Sequence, residues 1–493
     1  MAAAVPRARI ETVEVDAEGR SILLSGTAGS APALSIAGSR QTLAATVSGG
    51  SGRFTAVVPL ELSTWKSPLL PARSGEYLLH GATLADAAEL PAPQLIEGVT
   101  RVRFERREDG LVVILEPPLT DRERGPQQQA ALESDYRATR YEPIDAVFFE
   151  SFYGRNASCN PLAIDREIAR LRPSTARYWS VADASVEVPD GAIAIVNGSA
   201  EWWRVRGSAR LLVVNDWLRK RYEPRRHQRV LQTWHGTMLK KLALSRRGHG
   251  LRAAIATVLE SRRWNVLLAQ NDYSRGVLRR AYAYRGPVWE LGYPRDDVLL
   301  SGDAAAVRTR LGMADGVTVL LYAPTWRDDR RDHVDHLDVA RFARDLGPGF
   351  VTLIRGHSRT LLPGEDVHAD GVIDVTGFPD VSQLFLVADA LVTDYSSVMF
   401  DFTVTGKPLF FFTPDLERYR RTLRGFYFDL LEVAPGPVVP ELGQLVDLVR
   451  RRDSIAPEYA ARYAAWRARF NPRDDGNAAA RVVERLVAEG FLG

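Results

Sequence analysis

A histidine, a glycine and a threonine stand together in Gln232-Thr-Trp-His-Gly-Thr-Met-Leu-Lys-Lys-Leu242, just after the apolar run Arg229-Val-Leu231. Ligands of α/β proteins bind where strands end and helices begin. Histidine is the side chain that takes a proton from an alcohol near neutral pH, and glycine lets a backbone approach a ligand closely. A turn that merely tolerates His235 beside Gly236 reads the same from this stretch alone. Three further strand ends carry phosphate-binding groups: Pro324 and Thr325 after Leu320-Leu-Tyr-Ala323, Arg355-Gly356-His357 after Val351-Thr-Leu-Ile354, and Ser396-Ser397 after Leu391-Val-Thr393. Two serines at a helix start offer an N-cap and free backbone N–H groups, which together attract anions. Asp401 returns one turn later to the face of Ser397, where a carboxylate accepts from a ligand hydroxyl. Each of these features alone is an ordinary strand end or capped helix. At one edge of one sheet they make a diphosphate site. The chain has no GxGxxG, P-loop or HExxH motif and no clustered carboxylate set, so neither a metal nor a cofactor is expected.

Positioning such groups requires a parallel sheet. Residues 141–292 alternate strand runs (Ala146-Val-Phe-Phe149, Arg177-Tyr-Trp-Ser-Val181, Ala192-Ile-Ala-Ile-Val196, Leu211-Leu-Val-Val214) with helical segments, and residues 293–475 repeat the alternation with strands at Val317–Tyr322, Val351–Ile354, Gly371–Asp374, Ala390–Val392 and Pro408–Phe412. Two Rossmann-like α/β domains facing a cleft describe the B-type glycosyltransferase architecture (GT-B). Residues 1–120 read as an all-β accessory domain with a hairpin turn at Asp109-Gly110, residues 121–140 as a helical linker, and 476–493 as a closing helix that returns to the first α/β domain.

At 493 residues the chain is too long for one core, and its 45% hydrophobic and 25% charged residues are those of a globular protein. The net charge is only +3, but basic residues cluster at 218–229 and again at Lys240, Lys241, Arg246, Arg247, Arg252, Arg262 and Arg263. Such clusters suit a phosphate polymer or an anionic lipid surface, or belong to a solvated face. In 240–263 they interleave with Leu242, Leu244, Leu251, Ala254, Ile255 and Val258, compatible with an interfacial amphipathic helix. No nucleic-acid motif accompanies them. A single cysteine, Cys159, excludes a disulfide framework, and no signal peptide or apolar span is visible. A cytoplasmic protein, held peripherally on the inner face of the membrane, is expected.

Phe149-Glu-Ser-Phe152, Asn160-Pro161, Trp234-His-Gly-Thr237, Gly292-Tyr-Pro-Arg295, Tyr322-Ala-Pro-Thr-Trp-Arg327, Arg355-Gly-His357, Asp394-Tyr-Ser-Ser-Val-Met-Phe-Asp401 and Arg424-Gly-Phe-Tyr427 occur in that order. Together they resemble the CDP-glycerol glycerophosphotransferases of teichoic acid synthesis, over about residues 140–475. The resemblance implies a GT-B enzyme that moves glycerol phosphate from CDP-glycerol to a poly(glycerol phosphate) or lipid-linked acceptor. It implies that His235, Gly236, Thr237, Met238, Leu239, Arg295, Pro324, Thr325, Arg355, Gly356, His357, Ser396, Ser397 and Asp401 line the donor site. His235 is expected to act as general base and His357 to protonate the leaving CMP. Met238 and Ser358 depart from the family pattern, which often has proline at both places. The residues leave open CDP-ribitol or a nucleotide sugar as donor and, from another class, a non-catalytic nucleotide- or polymer-binding protein.

Overall fold

The structure, a computed structural model, describes residues 8–39, 41–50, 52–108, 110–325, 337–356, 369–419 and 425–492. Within them, residues 8–116 form a five-stranded and a six-stranded sheet, antiparallel except for one pair, around a single core that includes Ile10, Ile22, Phe54, Val58, Val102 and Val113. Alternating burial along Gly52–Pro59 gives each strand one core face and one wet face. Thr100–Arg107 and Gly110–Glu116 pair as a hairpin, with Arg107 opposite Gly110. Asp109, the expected turn residue, lies outside the described residues. Helix Pro126–Ala138 follows, with proline in its first turn and Tyr136 buried against Trp203.

The next sheet has seven strands, all parallel, in spatial order 3-2-1-4-5-6-7, running from Ile144–Glu150 to Val288–Glu290. Helices cover both faces. That is why its central strands are unbroken apolar runs: Val147, Phe148, Phe149, Leu211, Leu212 and Val213 are all fully buried. Each such side chain contributes roughly 1.5–3 kcal/mol by leaving water. A second parallel sheet, from Thr318–Ala323 to Val438–Val439, has six strands in the order 3-2-1-4-5-6. Helix Ala478–Ala488 returns to the first of these two sheets and buries Val482, Val483 and Leu486 beside Ile164 and Ile168 of helix Cys159–Leu171.

The segment after the histidine motif departs from the expected helix. Residues 239–242 run extended and pair with 425–427: Lys240 bridges Phe426, Lys241 N–H donates to Gly425 O at 3.1 Å, and Tyr427 N–H donates to Leu239 O at 2.9 Å. Helix begins only at Leu251, after Gly248 and Gly250, and ends at Ser261. The backbone polar groups of 239–242 are taken by the other sheet's loops, a partner that local periodicity does not reveal.

Candidate active site

In both parallel sheets the order reverses between strands 1 and 4, and the loops leaving those strands open a crevice. In the first sheet they are the loops after Glu150 and Val214. Phe152 N–H donates to Asn215 Oδ1 at 2.9 Å, and Tyr153 OH donates to Asp216 Oδ1 at 2.6 Å. Phe152, Tyr153, Cys159 and Trp234 all have left-handed backbones, with φ of 46°, 61°, 65° and 54°. Such residues cost about 1–3 kcal/mol each and persist where surrounding structure dictates them. Trp234 delivers His235 into the crevice. The imidazole stacks on Trp234 at 4.6 Å between ring centres and meets Phe152 at 5.6 Å. Its Nδ1 lies 2.6 Å from Asn215 O. A carbonyl oxygen only accepts, so Nδ1 carries the hydrogen, and in the neutral ring Nε2 is the proton acceptor.

Gly236 is one place where the loops of the two sheets meet. A Cβ placed there, at φ 154°, would stand 3.3 Å from Ser397 Oγ and 3.5 Å from an Arg295 guanidinium nitrogen. Arg295 ties the walls together. It donates to Asp401 Oδ2 at 2.6 Å, to His235 O at 2.9 Å and to Cys159 Sγ at 3.3 Å, and its N–H donates to Asn160 Oδ1 at 3.2 Å. Asn160 in turn donates to Thr233 O and Trp234 O, both at 3.2 Å, fixing the peptides before the histidine. Asp401, expected to await a ligand hydroxyl, is instead buried in this ion pair.

Thr237 points inward rather than toward the cleft. Its hydroxyl meets Gln270 Oε1 at 2.5 Å and Ser274 Oγ at 2.8 Å, and Asn271 Nδ2 donates to it at 3.2 Å. Met238 is buried in the core of the first sheet and Leu239 in that of the second. Their side chains are packing groups that join the two cores, a correction to their placement on the donor. Gln270 donates to Asp296 at 3.0 Å and to Asp474 at 2.8 Å, and Asn471 donates to Asp474 at 3.1 Å. Burial and the neighbouring Asp401 and Asp474 charges hold the Asp296 carboxyl well above the usual range. Burial, against several hydrogen bonds, raises Asp474 to about 6.

At the second sheet's edge, Thr325 N–H donates to Asp394 Oδ1 at 2.8 Å, with Pro324 half-buried before it. Arg355 donates to Val375 O and Phe378 O at 3.2 and 2.7 Å, and Gly356 N–H donates to Thr376 Oγ1 at 2.9 Å. Burial lowers Arg355 to about 10, so it stays a cation at neutral pH. Ser396 and Ser397 precede a helix of only five residues, Val398–Phe402, and Ser397 makes no side-chain cap bond. The expected capped helix start is therefore one short turn. His357 lies outside the described residues. A cavity of about 850 Å³ opens between the sheets, lined by Phe152, Tyr153, Asp216, Arg355 and Gly356. A second, of about 540 Å³, lies beside Arg295 and Cys159. Both volumes suit a small-molecule ligand.

Two doubly wound parallel sheets, with a histidine beside the switch point of one and cationic and hydroxyl groups at the strand ends of the other, define a two-sheet α/β protein with a cavity between the sheets. The family model described as CDP-glycerol:poly(glycerophosphate) glycerophosphotransferase matches residues 136–488, and the chain belongs to that family. It is 33% identical over 364 residues to the teichoic acid glycerol-phosphate transferase of Staphylococcus aureus, covering 69% of this chain and 92% of that protein. It is 32% identical over 359 residues to the teichoic acid poly(glycerol phosphate) polymerase of Bacillus subtilis, covering 69% of this chain but only 48% of that longer protein. A solved structure of the wall teichoic acid polymerase TagF, from a form soaked with CDPG, superposes with a TM-score of 0.69 at 31% identity, covering 74% of this chain and 94% of that one.

Proposed function

We propose that this chain transfers glycerol phosphate from CDP-glycerol to a hydroxyl of a poly(glycerol phosphate) or lipid-linked acceptor, releasing CMP, in the synthesis of a teichoic-acid-like polymer. The observation that carries the reading is His235, its ring held by the Asn215 carbonyl and its chain neighbour Gly236 set against Ser397 at the second sheet's edge. The acceptor oxygen forms a bond to the β-phosphorus of the donor while the bond from that phosphorus to the bridging oxygen breaks. The acceptor's proton passes to His235 Nε2, and CMP departs with the bridging oxygen. Arg355, Thr325 and the N–H groups at Ser396-Ser397 hold the diphosphate and offset the charge that builds on it. His357 is assigned the proton of the leaving CMP. In this reading the arrangement is GT-B, with residues 141–292 as the acceptor and base domain and 293–475 as the donor domain.

Incubation with CDP-glycerol and an oligo(glycerol phosphate) acceptor is expected to release CMP and lengthen the acceptor, while CDP-ribitol and UDP-sugars give little. CMP release that is fastest with CDP-ribitol or a UDP-sugar would reassign the donor. Tight nucleotide binding with no CMP release would make the protein a binding module.

We also assign a membrane-facing surface. No helix among the described residues is long and apolar enough to cross a bilayer. Helix Leu251–Ser261, however, exposes Leu251 (77%), Ile255 (51%) and Leu259 (52%) at four-residue intervals, and Arg246, Arg247, Arg252 and Arg262 beside them are exposed. An apolar stripe among cations suits the boundary of an anionic bilayer. Changing both Leu251 and Ile255 to Asp is expected to cut sedimentation with phosphatidylglycerol vesicles about tenfold or more, and 0.5 M salt should weaken wild-type binding. Unchanged sedimentation of the double variant would remove this assignment.

A further inference from the structure

The N-terminal sheets lie outside the matched family region, yet they reach the cleft. Among the described residues, five arginines line the 850 Å³ cavity: Arg73 from the N-terminal sheets, Arg155 and Arg219 from loops of the first parallel sheet, and Arg310 and Arg355 from the segment that carries the second. Three of them are engaged. Arg310 donates to Trp65 O at 2.8 Å, Arg219 lies over the Tyr153 ring at 3.3 Å, and Arg355 holds two carbonyls. The described lining carboxylates are engaged too: Glu187 with Arg310 at 3.4 Å, Asp216 with Tyr153, and Asp374 with Thr376 N–H. The guanidiniums of Arg73 and Arg155 make no hydrogen bond or ion pair with any described residue.

Arg73 is nevertheless held firmly. Its N–H donates to Gln41 Oε1 at 2.9 Å, its carbonyl accepts from Tyr77 OH at 2.8 Å, and Ser74 N–H donates to Asp183 Oδ2 of the first parallel-sheet unit at 2.8 Å. Across the cavity, the loop between Glu61–Leu62 and Leu70–Pro71 sets Trp65 edge-on against Phe378 at 5.8 Å. Trp65 and Lys66 in that loop both have left-handed backbones, with φ of 56° and 53°. The N-terminal sheets are thus fastened to both walls, with Arg73 between the two fastenings. Arg73, half-buried, and Arg155, exposed, border the same cavity, and phosphate matches a guanidinium's planar fork. Arg155 leaves the same loop as Phe152, which touches His235, so this is the base's side of the cleft.

Resting on the transfer reaction above, we propose that Arg73 and Arg155 bind a phosphodiester of the acceptor chain, behind the hydroxyl that attacks. The N-terminal sheets are then the acceptor subsite, and they favour an acceptor that already carries phosphate.

The test compares Arg73→Gln, Arg155→Gln and the double variant with Arg53→Gln, a change on an exposed strand position away from the cavity. With a soluble oligo(glycerol phosphate) and CDP-glycerol, each cleft variant is expected to raise the acceptor KM about tenfold, and the double variant about a hundredfold. The donor KM and the rate at saturating acceptor should hold within about twofold, and Arg53→Gln should match wild type. Trp65→Ala, which loosens the fastening without removing a cation, should also raise the acceptor KM. A rise in donor KM instead, or no change in either KM, overturns the proposal. So does an equal loss of binding to phosphatidylglycerol vesicles, which would give the cations to a lipid surface. If wild type releases no CMP from any donor, the transfer reading fails. Titration of the oligomer into the same variants by calorimetry then still reads whether Arg73 and Arg155 bind it.

Discussion

Replacing His235 by alanine is expected to lower turnover about 10²–10⁴-fold, the usual contribution of a general base, while the protein stays folded. The imidazole sits against Trp234 and Phe152 at the cleft, and it is only partly buried. Among the described residues, its side-chain hydrogen bond is Nδ1–H to Asn215 O. Removing the ring leaves the carbonyl of the buried Asn215 without that donor, a folding cost of about 1–3 kcal/mol. His235→Gln separates two roles. A glutamine amide can still donate to Asn215 O, but its other end is no base. If the ring only positions the loop, glutamine restores much of the rate; if it takes the proton, glutamine is as slow as alanine. CMP release under saturating donor, beside a thermal melt of each variant, makes the distinction. Near wild-type turnover in His235→Ala would end the assignment.

The strands that carry this site were legible because both faces of each parallel sheet are covered. Runs such as Ala146–Phe149, Leu211–Val214 and Leu391–Val392 then become continuous apolar stretches. The candidate residues could be singled out because ligands of such sheets collect at strand ends, which pointed to His235, Thr325, Arg355 and Ser396-Ser397. Other residues left no local trace. Asn160, Asn215, Gln270, Asn271, Asn471 and Asp474 are buried polar groups, each with at least one partner 20 to 204 positions away. A lone asparagine in sequence does not announce which distant carbonyl it holds. Asn160 opens one of the family-like motifs, but nothing local distinguishes a cap from a clamp. Met238 and Leu239 show the reverse error. They sit close to the histidine in sequence, yet the apolar side chains three and four positions along point into the cores. The left-handed backbones at Phe152, Tyr153 and Trp234 had no signal either, because none of the three is glycine.

Removing Arg295 is expected to destabilise the protein more than any other single change near the cleft, by about 3–5 kcal/mol, as breaking a buried ion pair usually does. The Arg295 and Asp401 side chains are 6% and 2% exposed. The same guanidinium stands beside Asp296, which packs with Asp401 and Asp474 into a buried acidic group. Without the cation, these carboxyls repel one another with nothing to offset them. The effect must therefore depend on pH, and the sign follows from the direction of the shifts. Asp474 titrates at about 6 in the folded chain and Asp296 well above the usual range, while an unfolded chain releases these protons near pH 4. The native state thus holds protons that the unfolded state has lost. The stability associated with them is complete below about pH 4 and falls as pH rises through the folded values. Arg295 lowers the Asp296 value, so in Arg295→Met the fall extends to higher pH. The variant should be closest to wild type at pH 5 and furthest from it at pH 8, as read from denaturant midpoints. An equal deficit at both pH values would refute the coupling. Replacing the pair together, Arg295→Met with Asp401→Leu, removes both charges and should recover much of the stability, because a well-packed apolar pair avoids the desolvation of ions. It should not recover turnover, since the His235 carbonyl loses its donor and the peptide that carries the base is no longer held. A double variant that is stable and inactive assigns Arg295 to positioning the base; one that is stable and active leaves the ion pair with a structural role alone.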